Sequence, residues 1–354
     1  MTGPRIGVDI GGTFTDVVII REGTLEVHKV PSTPSSPDEG VMQGLTQATS
    51  DATFDLNDVA FVGHGTTVAT NAVLEGEWEE TALITTRGFG DVLEIGRQTR
   101  PDIYDLHAQK PDPIVPRDRR YEISERVDER GEVHQELAES ALHDLAEEIE
   151  VGSIAIAFLF AYENPVHERK ARDILEEKLD ASISISSDVL PEIREYERTL
   201  VTALNAALKP IIETYIERID TRIRSRGFEG GLNIMGSSGG VMPAETAKSR
   251  PVTTLLSGPA AGVQGATHVA NFAGFQDLLT MDMGGTSCDV SLVREGDPLI
   301  STDVEVGPYP VSIPMVDIHT VGSGGGSIAR IDEGGALKVG PSSAGARPGP
   351  ICYG

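Results

Sequence analysis

A twelve-residue pattern occurs twice in this chain, and the repetition restricts what the polypeptide can fold into. Asp9-Ile10-Gly11-Gly12-Thr13-Phe14-Thr15-Asp16 opens the first copy and Asp282-Met283-Gly284-Gly285-Thr286-Ser287-Cys288-Asp289 the second. Counting the four residues that follow each, six of the twelve positions are identical. Each copy has a β-rich apolar run on both sides, so each reads as two strands joined by a glycine-bearing tip. The spacing is far too long for a solenoid. Two related half-structures facing one cleft satisfy it.

Such tips have a definite chemistry. Paired glycines bend sharply and admit a phosphate to the backbone with no Cβ in the way, and successive N–H groups form an anion nest. Gly11, Gly12, Thr13 and Thr15 in the first copy, and Gly284, Gly285 and Thr286 in the second, are therefore the candidate phosphate-binding residues. The Asp9 carboxylate repels phosphate but can hold Mg2+ through water, because Mg2+ takes a few carboxylates plus substrate phosphates. Asp9 and Asp282 are the candidate metal residues, and Asp282 or Asp289 is placed to position an attacking group. Two opposed tips would grip the β- and γ-phosphates of ATP from both sides. No GxxxxGK[ST] loop and no GxGxxG motif occurs, which leaves P-loop and dinucleotide chemistry without support.

Composition narrows the partners. The 354 residues carry 55 Asp+Glu against 29 Lys+Arg, a formal net charge of -26. Nucleic acid and anionic membranes both require clustered basic residues, so neither is an expected partner. Seven of the basic residues are Lys; excess acid with little Lys fits a protein living in concentrated salt, where at about 1 M the screening length falls to about 3 Å. No run of about 18 apolar residues occurs, and no apolar N-terminal leader follows a basic stretch. Two cysteines, Cys288 and Cys352, are too few for a disulfide scaffold. A cytoplasmic α/β protein is expected.

Along the chain, strand patterns at 5–10, 15–21, 24–30, 59–63, 81–86, 153–160, 182–186, 232–236, 278–283 and 288–294 alternate with helical ones. Helices are predicted from 37, from 68, and over 137–149, 167–179, 195–226 and 258–270, with Pro210 expected to kink or split the longest. The Pro- and charge-rich stretch 98–130 reads as a surface excursion. A division near Pro191 separates residues 1–190, with the first tip, from 191–354, with the second.

The motifs resemble those of a known family. Gly7 to Asp16, His64-Gly65-Thr66-Thr67 through Asn71, Ser257-Gly258-Pro259-Ala260-Ala261-Gly262, Met281 to Asp289, Asp317 through Ser327 and residues 343–354 are similar to the A subunit of the hydantoinase/oxoprolinase family. The paired tips resemble the two phosphate motifs of the acetate kinase, sugar kinase, Hsp70 and actin superfamily. The resemblance implies a two-lobed, ribonuclease H-like α/β fold with an incomplete second lobe, members usually being about twice this length. It also implies an ATP- and Mg2+-dependent subunit that phosphorylates an oxygen of a cyclic amide or ketone. A B-type subunit in a hetero-oligomer would then complete ring-opening hydrolysis or carboxylation. A nucleotide-switched reactivator or chaperone, an actin-like assembly protein, and a catalytically incomplete fragment are the competing readings.

Two further groups of candidates remain open at this point. His64, with Thr66, Thr67 and Asn71, lies between a strand and a helix, where it either meets the transferred phosphate or substrate or forms a helix cap with a packed histidine. Asp317 and His319, two apart on a strand pattern, share a face and are either an acid–base or metal pair or a local hydrogen bond. The glycine run 322–326 can approach a ligand closely or serve as a plain connection.

Overall fold

The computed structural model describes residues 3–10, 14–31, 37–52, 54–285, 287–344, 349 and 351. Gly11, Gly12, Thr13, Thr286 and Cys352 lie outside the described residues.

The first sheet is built on the first tip. Strand β1 (Arg5–Ile10) pairs antiparallel with β2 (Phe14–Arg21), which pairs antiparallel with β3 (Thr24–Pro31). Helix α1 (Pro37–Ala52) returns across them and buries Val41, Met42, Leu45 and Ala48, the apolar stripe its spacing predicts. Strand β4 (Phe61–Gly65) then adds parallel to the other edge of β1, with Asp9 opposite Gly65. It runs two residues later than its pattern predicts, because this register keeps His64 and Gly65 in the ladder. Helix α2 (Val68–Glu75) follows.

A second, all-parallel sheet comes from β5 (Thr81–Thr86), β6 (Arg120–Ile123), β7 (Ser153–Ala157) and β8 (Ser182–Ile185), in the order β8-β7-β5-β6. Strand β6 emerges from the stretch read as a surface excursion, and Ile114, Val115 and Ile123 in that stretch are buried. Strand β7 stops before its apolar run does. The Phe158 and Leu159 amides donate instead to the Glu168 carboxylate (2.9 Å) and the Thr86 hydroxyl (3.0 Å).

Helix α3 (Glu195–Arg224) is continuous through Pro210 over 30 residues. Proline at 210 removes the amide that would bond the Ala206 carbonyl. That carbonyl instead accepts from the buried Ser153 hydroxyl at 2.5 Å, and the next, Ala207, accepts from the Glu79 amide at 3.2 Å. The one orphaned acceptor is satisfied from outside, and of the kink or split expected at Pro210 the split does not occur. Leu200, Leu204, Leu208, Ile212, Tyr215 and Ile219 on this helix complete the main core with β1, β2 and α1.

After α3 the chain rejoins the first sheet: β9 (Leu232–Met235) pairs parallel with β4, and β10 (Val241–Pro243) closes the edge, in the order β10-β9-β4-β1-β2-β3. The sheets and the Pro191 division therefore do not coincide. Helix α4 (Ser257–Phe272) leads to the second tip. There β11 (Leu278–Met283) pairs antiparallel with β12 (Cys288–Arg294), and β12 pairs with β13 (Ile318–Val321). A last hairpin joins β14 (Ser327–Ile331) to β15 (Leu337–Ser343). Among the described residues no helix is long and apolar enough to cross a membrane.

Candidate functional site

The two tips repeat each other in register. Asp9 faces Asp16 across β1 and β2, and Asp282 faces Asp289 across β11 and β12. The third strand continues the match: Asp16 stands opposite Lys29, and Asp289 opposite Thr320. Those neighbours hold the outer carboxylates. Lys29 forms an ion pair with Asp16 at 2.9 Å, and the Thr320 hydroxyl donates to Asp289 Oδ1 at 2.7 Å.

The second tip rests on the glycine run. The Gly325 and Gly326 amides donate to the Gly284 and Gly285 carbonyls at 2.9 and 2.7 Å. A Cβ at Gly324 would lie 2.6 Å from the Gly284 carbonyl oxygen and 2.8 Å from the Ser287 nitrogen. The contact is backbone on backbone, so only glycine fits. Residues 322–326 thus brace the tip from behind.

Asp9 is where the two halves meet. It ends β1 over a floor of Gly65, from the end of β4, and Gly258, from the start of α4. A Cβ on either would lie 2.6 and 3.6 Å from Asp9 Oδ1. The start of α4 is pinned there: the Ser257 hydroxyl donates to the Thr66 carbonyl at 3.0 Å, and the Leu256 amide to the Thr70 hydroxyl at 2.9 Å. Asp9 Oδ1 is buried and has no hydrogen-bond partner among the described residues. Burial, and then the negative charges of Asp16 and Asp282, push the Asp9 carboxyl above the usual carboxylate range. An unpartnered, desolvated carboxylate oxygen in the field of Asp16 and Asp282 is a group that a hard divalent cation would satisfy.

His64 is inside the molecule. The Val8 carbonyl, which can only accept, lies 3.2 Å from Nδ1, so that nitrogen carries the proton and Nε2 accepts from the Tyr215 hydroxyl at 2.7 Å. Tyr215 is also bonded to Thr66, and burial raises its phenol above the ordinary range. The imidazole is buried, and its pKa is pushed down to about 4, mainly by desolvation. A ring so enclosed packs β4 against β1 from inside the molecule.

The sign of the pH effect follows. Between about 4 and the ordinary value near 6.5 the unfolded chain binds a proton that the folded chain refuses, so stability falls as pH drops through that window. The loss from this residue is on the order of 3 kcal/mol. Urea unfolding of wild type and His64→Asn at several pH values should show this component in the wild type and not in the variant.

Other candidates are placed as follows. Thr15 is buried under α1 with Val17 and Ile19, whose face of β2 it shares by strand alternation, so its side chain belongs to the core and not to the tip's outer surface. Thr66 is buried, Thr67 half-buried at the start of α2, and Asn71 exposed on that helix. Asp317 precedes β13 and His319 lies on it; both are exposed, and no hydrogen bond or ion pair joins them among the described residues. Cys288 is buried. Tyr215 and Lys29 escaped sequence reasoning. Tyr215 sits at ordinary core spacing on a long helix, and only the alternation of β3 pointed to Lys29.

The fold is a two-lobed α/β architecture of the actin, Hsp70 and sugar-kinase type, with an Asp-bearing antiparallel strand pair in each half. Residues 5–179 match the hydantoinase/oxoprolinase N-terminal region and residues 198–354 match hydantoinase/oxoprolinase. The chain belongs to the hydantoinase/oxoprolinase family. It is 38% identical to caprolactamase subunit alpha of Pseudomonas jessenii over 99% of this chain and 52% of that protein. The crystal structure of that ATP-dependent caprolactamase superposes with a TM-score of 0.89 at 37% identity, covering 99% of this chain and 52% of that one. Acetophenone carboxylase gamma subunit of Aromatoleum aromaticum is 32% identical over 98% of this chain and 50% of its own length. Nucleotide-free acetone carboxylase, described as carboxylating acetone with ATP, superposes with a TM-score of 0.83 at 28% identity over 98% of this chain and 52% of that one. The chain spans about half the length of these relatives.

Proposed function

We propose that this chain is the ATP-using part of an enzyme that activates a cyclic amide or a ketone by phosphorylating its oxygen. The observation that carries the reading is half-buried Asp9 at the end of β1: its Oδ1 is enclosed with no hydrogen-bond partner among the described residues, and Asp282 of the second strand pair helps to raise its proton affinity. Backbone amides of the two tips, including Gly284 and Gly285, bind the β- and γ-phosphates, with Gly11, Gly12, Thr13 and Thr286 as the remaining proposed contacts. Asp9, with Asp282, would hold Mg2+, which when bound neutralises phosphate oxygens. Asp282 and Asp289 orient the substrate oxygen in line with the γ-phosphorus, and one of them takes the proton released as the amide becomes imidate-like or the ketone enol-like. A P–O bond forms to that oxygen while the bond from the γ-phosphorus to ADP breaks. Positioning and electrostatics do most of this work. In the amide case water then attacks the imidate-like carbon, the C–N bond breaks and phosphate is released by a second hydrolysis. In the ketone case loss of the phosphoryl group to water frees an enolate whose α-carbon attacks a carboxylating species. A B-type subunit in a hetero-oligomer directs either step.

His64 has a positioning role in this reading, and Thr66, Thr67, Asn71, Asp317 and His319 are proposed substrate or supporting residues. The setting is cytoplasmic and salt-rich, in keeping with the net charge of -26.

ADP release, measured with a B-type subunit present, tests the reading. Caprolactam, 5-oxoproline, hydantoin, acetone and acetophenone are offered in turn, and KCl is varied from about 0.1 to about 2 M to span the screening range. ADP release that depends on one of these compounds, with a phosphorylated or ring-opened product, is the expected result. ADP release indifferent to all of them, accompanied by a change in lobe closure, would favour a nucleotide-switched reactivator instead.

A further inference from the structure

Beyond the carboxyl ends of β5, β6 and β7 runs a buried chain of polar groups that the proposed reaction does not use. The Thr86 hydroxyl, at the end of β5, accepts from the Leu159 amide at 3.0 Å and donates to Glu125 Oε1. Glu125 Oε2 lies 2.8 Å from Nδ1 of His167, in the first turn of the helix Val166–Glu176. Glu125 and His167 are 2% and 3% exposed. A carboxylate on Nδ1 keeps the ring proton there and leaves the lone pair on Nε2. That nitrogen is buried and has no hydrogen-bond partner among the described residues. The Glu136 carboxylate, on an exposed side chain, lies 4.0 Å from it. Such a gap is too long for a hydrogen bond. Two bonds of about 2.0–2.2 Å each to one metal ion would span it.

The hairpin that leads into Glu136 repeats the arrangement. Its strands Arg126–Val127 and Val133–Gln135 pair antiparallel, and the Asn164 side-chain amide, just before the helix, donates to the Gly131 carbonyl at its tip at 2.8 Å. His134 Nε2 lies 2.7 Å from Asp128 Oδ2, and Asp128 Oδ1 accepts from the Arg130 and Glu132 amides at 2.9 and 2.8 Å. A second histidine is thus oriented by a carboxylate on one ring nitrogen, which leaves Nδ1 for a ligand. His134 and Glu136 are exposed while Leu137 turns into the core, so by strand alternation the first two share a face, about 7 Å apart along the chain. We propose that His167 Nε2, His134 Nδ1 and the Glu136 carboxylate form a site for a divalent transition-metal ion of the zinc type, with water in the fourth position. Two imidazoles and a carboxylate are a donor set that zinc takes in tetrahedral geometry. Histidines that bind metal characteristically give their other nitrogen to a carboxylate, as both do here. Imidazole donors disfavour Mg2+, which separates this site from the cation position proposed at Asp9. Lys170, one turn along the helix from His167, is engaged by Glu139 at 2.6 Å. The ion would tie the hairpin to the start of that helix and hold Glu125 against Thr86.

Zinc binding to the full chain, followed by competition with a chromogenic chelator, tests the site. One Zn2+ per chain is expected, and Co2+ in its place should give the intense visible bands of a four-coordinate ion. Glu125→Gln, which removes no ligand atom, should weaken binding by about 10–100-fold, the usual effect of losing an orienting carboxylate. Glu136→Gln and His134→Gln, both at exposed positions, should weaken it at least as much; if Glu125→Gln does not fold, these two decide. Glu132→Gln should leave the affinity unchanged. That variant separates the site from a rival, because Asp128, Glu132 and His134 bring donor atoms within 4.8 Å of one another and could hold a surface ion by themselves. Loss of binding in Glu132→Gln, full affinity in Glu136→Gln or in a folded Glu125→Gln, or no stoichiometric Zn2+ at all would overturn the proposal. So would the weak Co2+ bands of an octahedral, largely hydrated ion.

Discussion

Asp9→Asn is expected to abolish ATP-dependent turnover, by about a thousandfold or more, and at the same time to make the ligand-free protein more stable at neutral pH. The activity loss follows if Asp9 is the anchor of a cation on the phosphates: such charge neutralisation supplies several kcal/mol of transition-state stabilisation, and each 1.36 kcal/mol is about tenfold in rate. Magnesium-dependent ATP binding by equilibrium dialysis provides a readout that does not require a partner subunit. The stability gain follows from electrostatics. Burial and the charges of Asp16 and Asp282 raise the Asp9 carboxyl, so the folded chain holds a proton that the unfolded chain has already lost. Stability therefore declines as pH rises from the ordinary carboxylate range through the folded-state value, and the deficit persists above it. Asparagine lacks this deficit. Thermal unfolding of the two proteins should diverge with rising pH and converge in acid. Retained turnover in Asp9→Asn, or a variant less stable than wild type at neutral pH, would remove Asp9 from the centre of the site.

The second large effect lies away from the cleft. Arg198→Met should destabilise the fold by about 3–5 kcal/mol, the usual cost of stranding one member of a buried ion pair. Arg198 and Glu168 are both fully buried and 3.9 Å apart. Arg198 donates to the Phe158 carbonyl at 2.8 Å and to the Ser186 hydroxyl, while Glu168 accepts from the Phe158 and Ser187 amides at 2.9 and 2.8 Å. Desolvation dominates at both ends: it lowers the guanidinium and raises the carboxyl. Hydrogen bonds from Ser186, Ser187 and Phe158, and then the Arg198 charge, oppose that rise at Glu168, while the Glu168 charge supports the guanidinium. Adding Glu168→Gln to Arg198→Met should consequently recover a substantial part of the loss, a non-additivity that denaturant unfolding of the single and double variants measures. Simple addition of the two single effects would show that the pair does not act as a unit.

Much of the site was legible because repetition is visible without a structure. Asp9/Asp282 and Asp16/Asp289 could be aligned by eye, and the strand registers repeat that alignment. Thr15 was also legible, though the motif obscured it: its alternation with Val17 and Ile19 already assigns it to the core face. His64 was different. Its burial depends on Tyr215, which lies 151 residues along the chain, and no local pattern announces such a pairing. Pro210 is a similar case. A proline inside a helical pattern signals a break unless another group takes up its orphaned carbonyl, and here Ser153, distant in sequence, supplies the donor to Ala206.

Local periodicity determined most of the strands and helices, and the motifs spread along the chain pointed to the family, because hydrophobic spacing and glycine-bearing turns are encoded over a few residues. Tertiary structure alone decided that Asp9 is desolvated and within the field of Asp282, that His64 is enclosed, and that a buried nitrogen of His167 stands near Glu136 without a hydrogen bond. Burial, field and pairing depend on neighbours brought together by folding, and those neighbours are far apart along the chain.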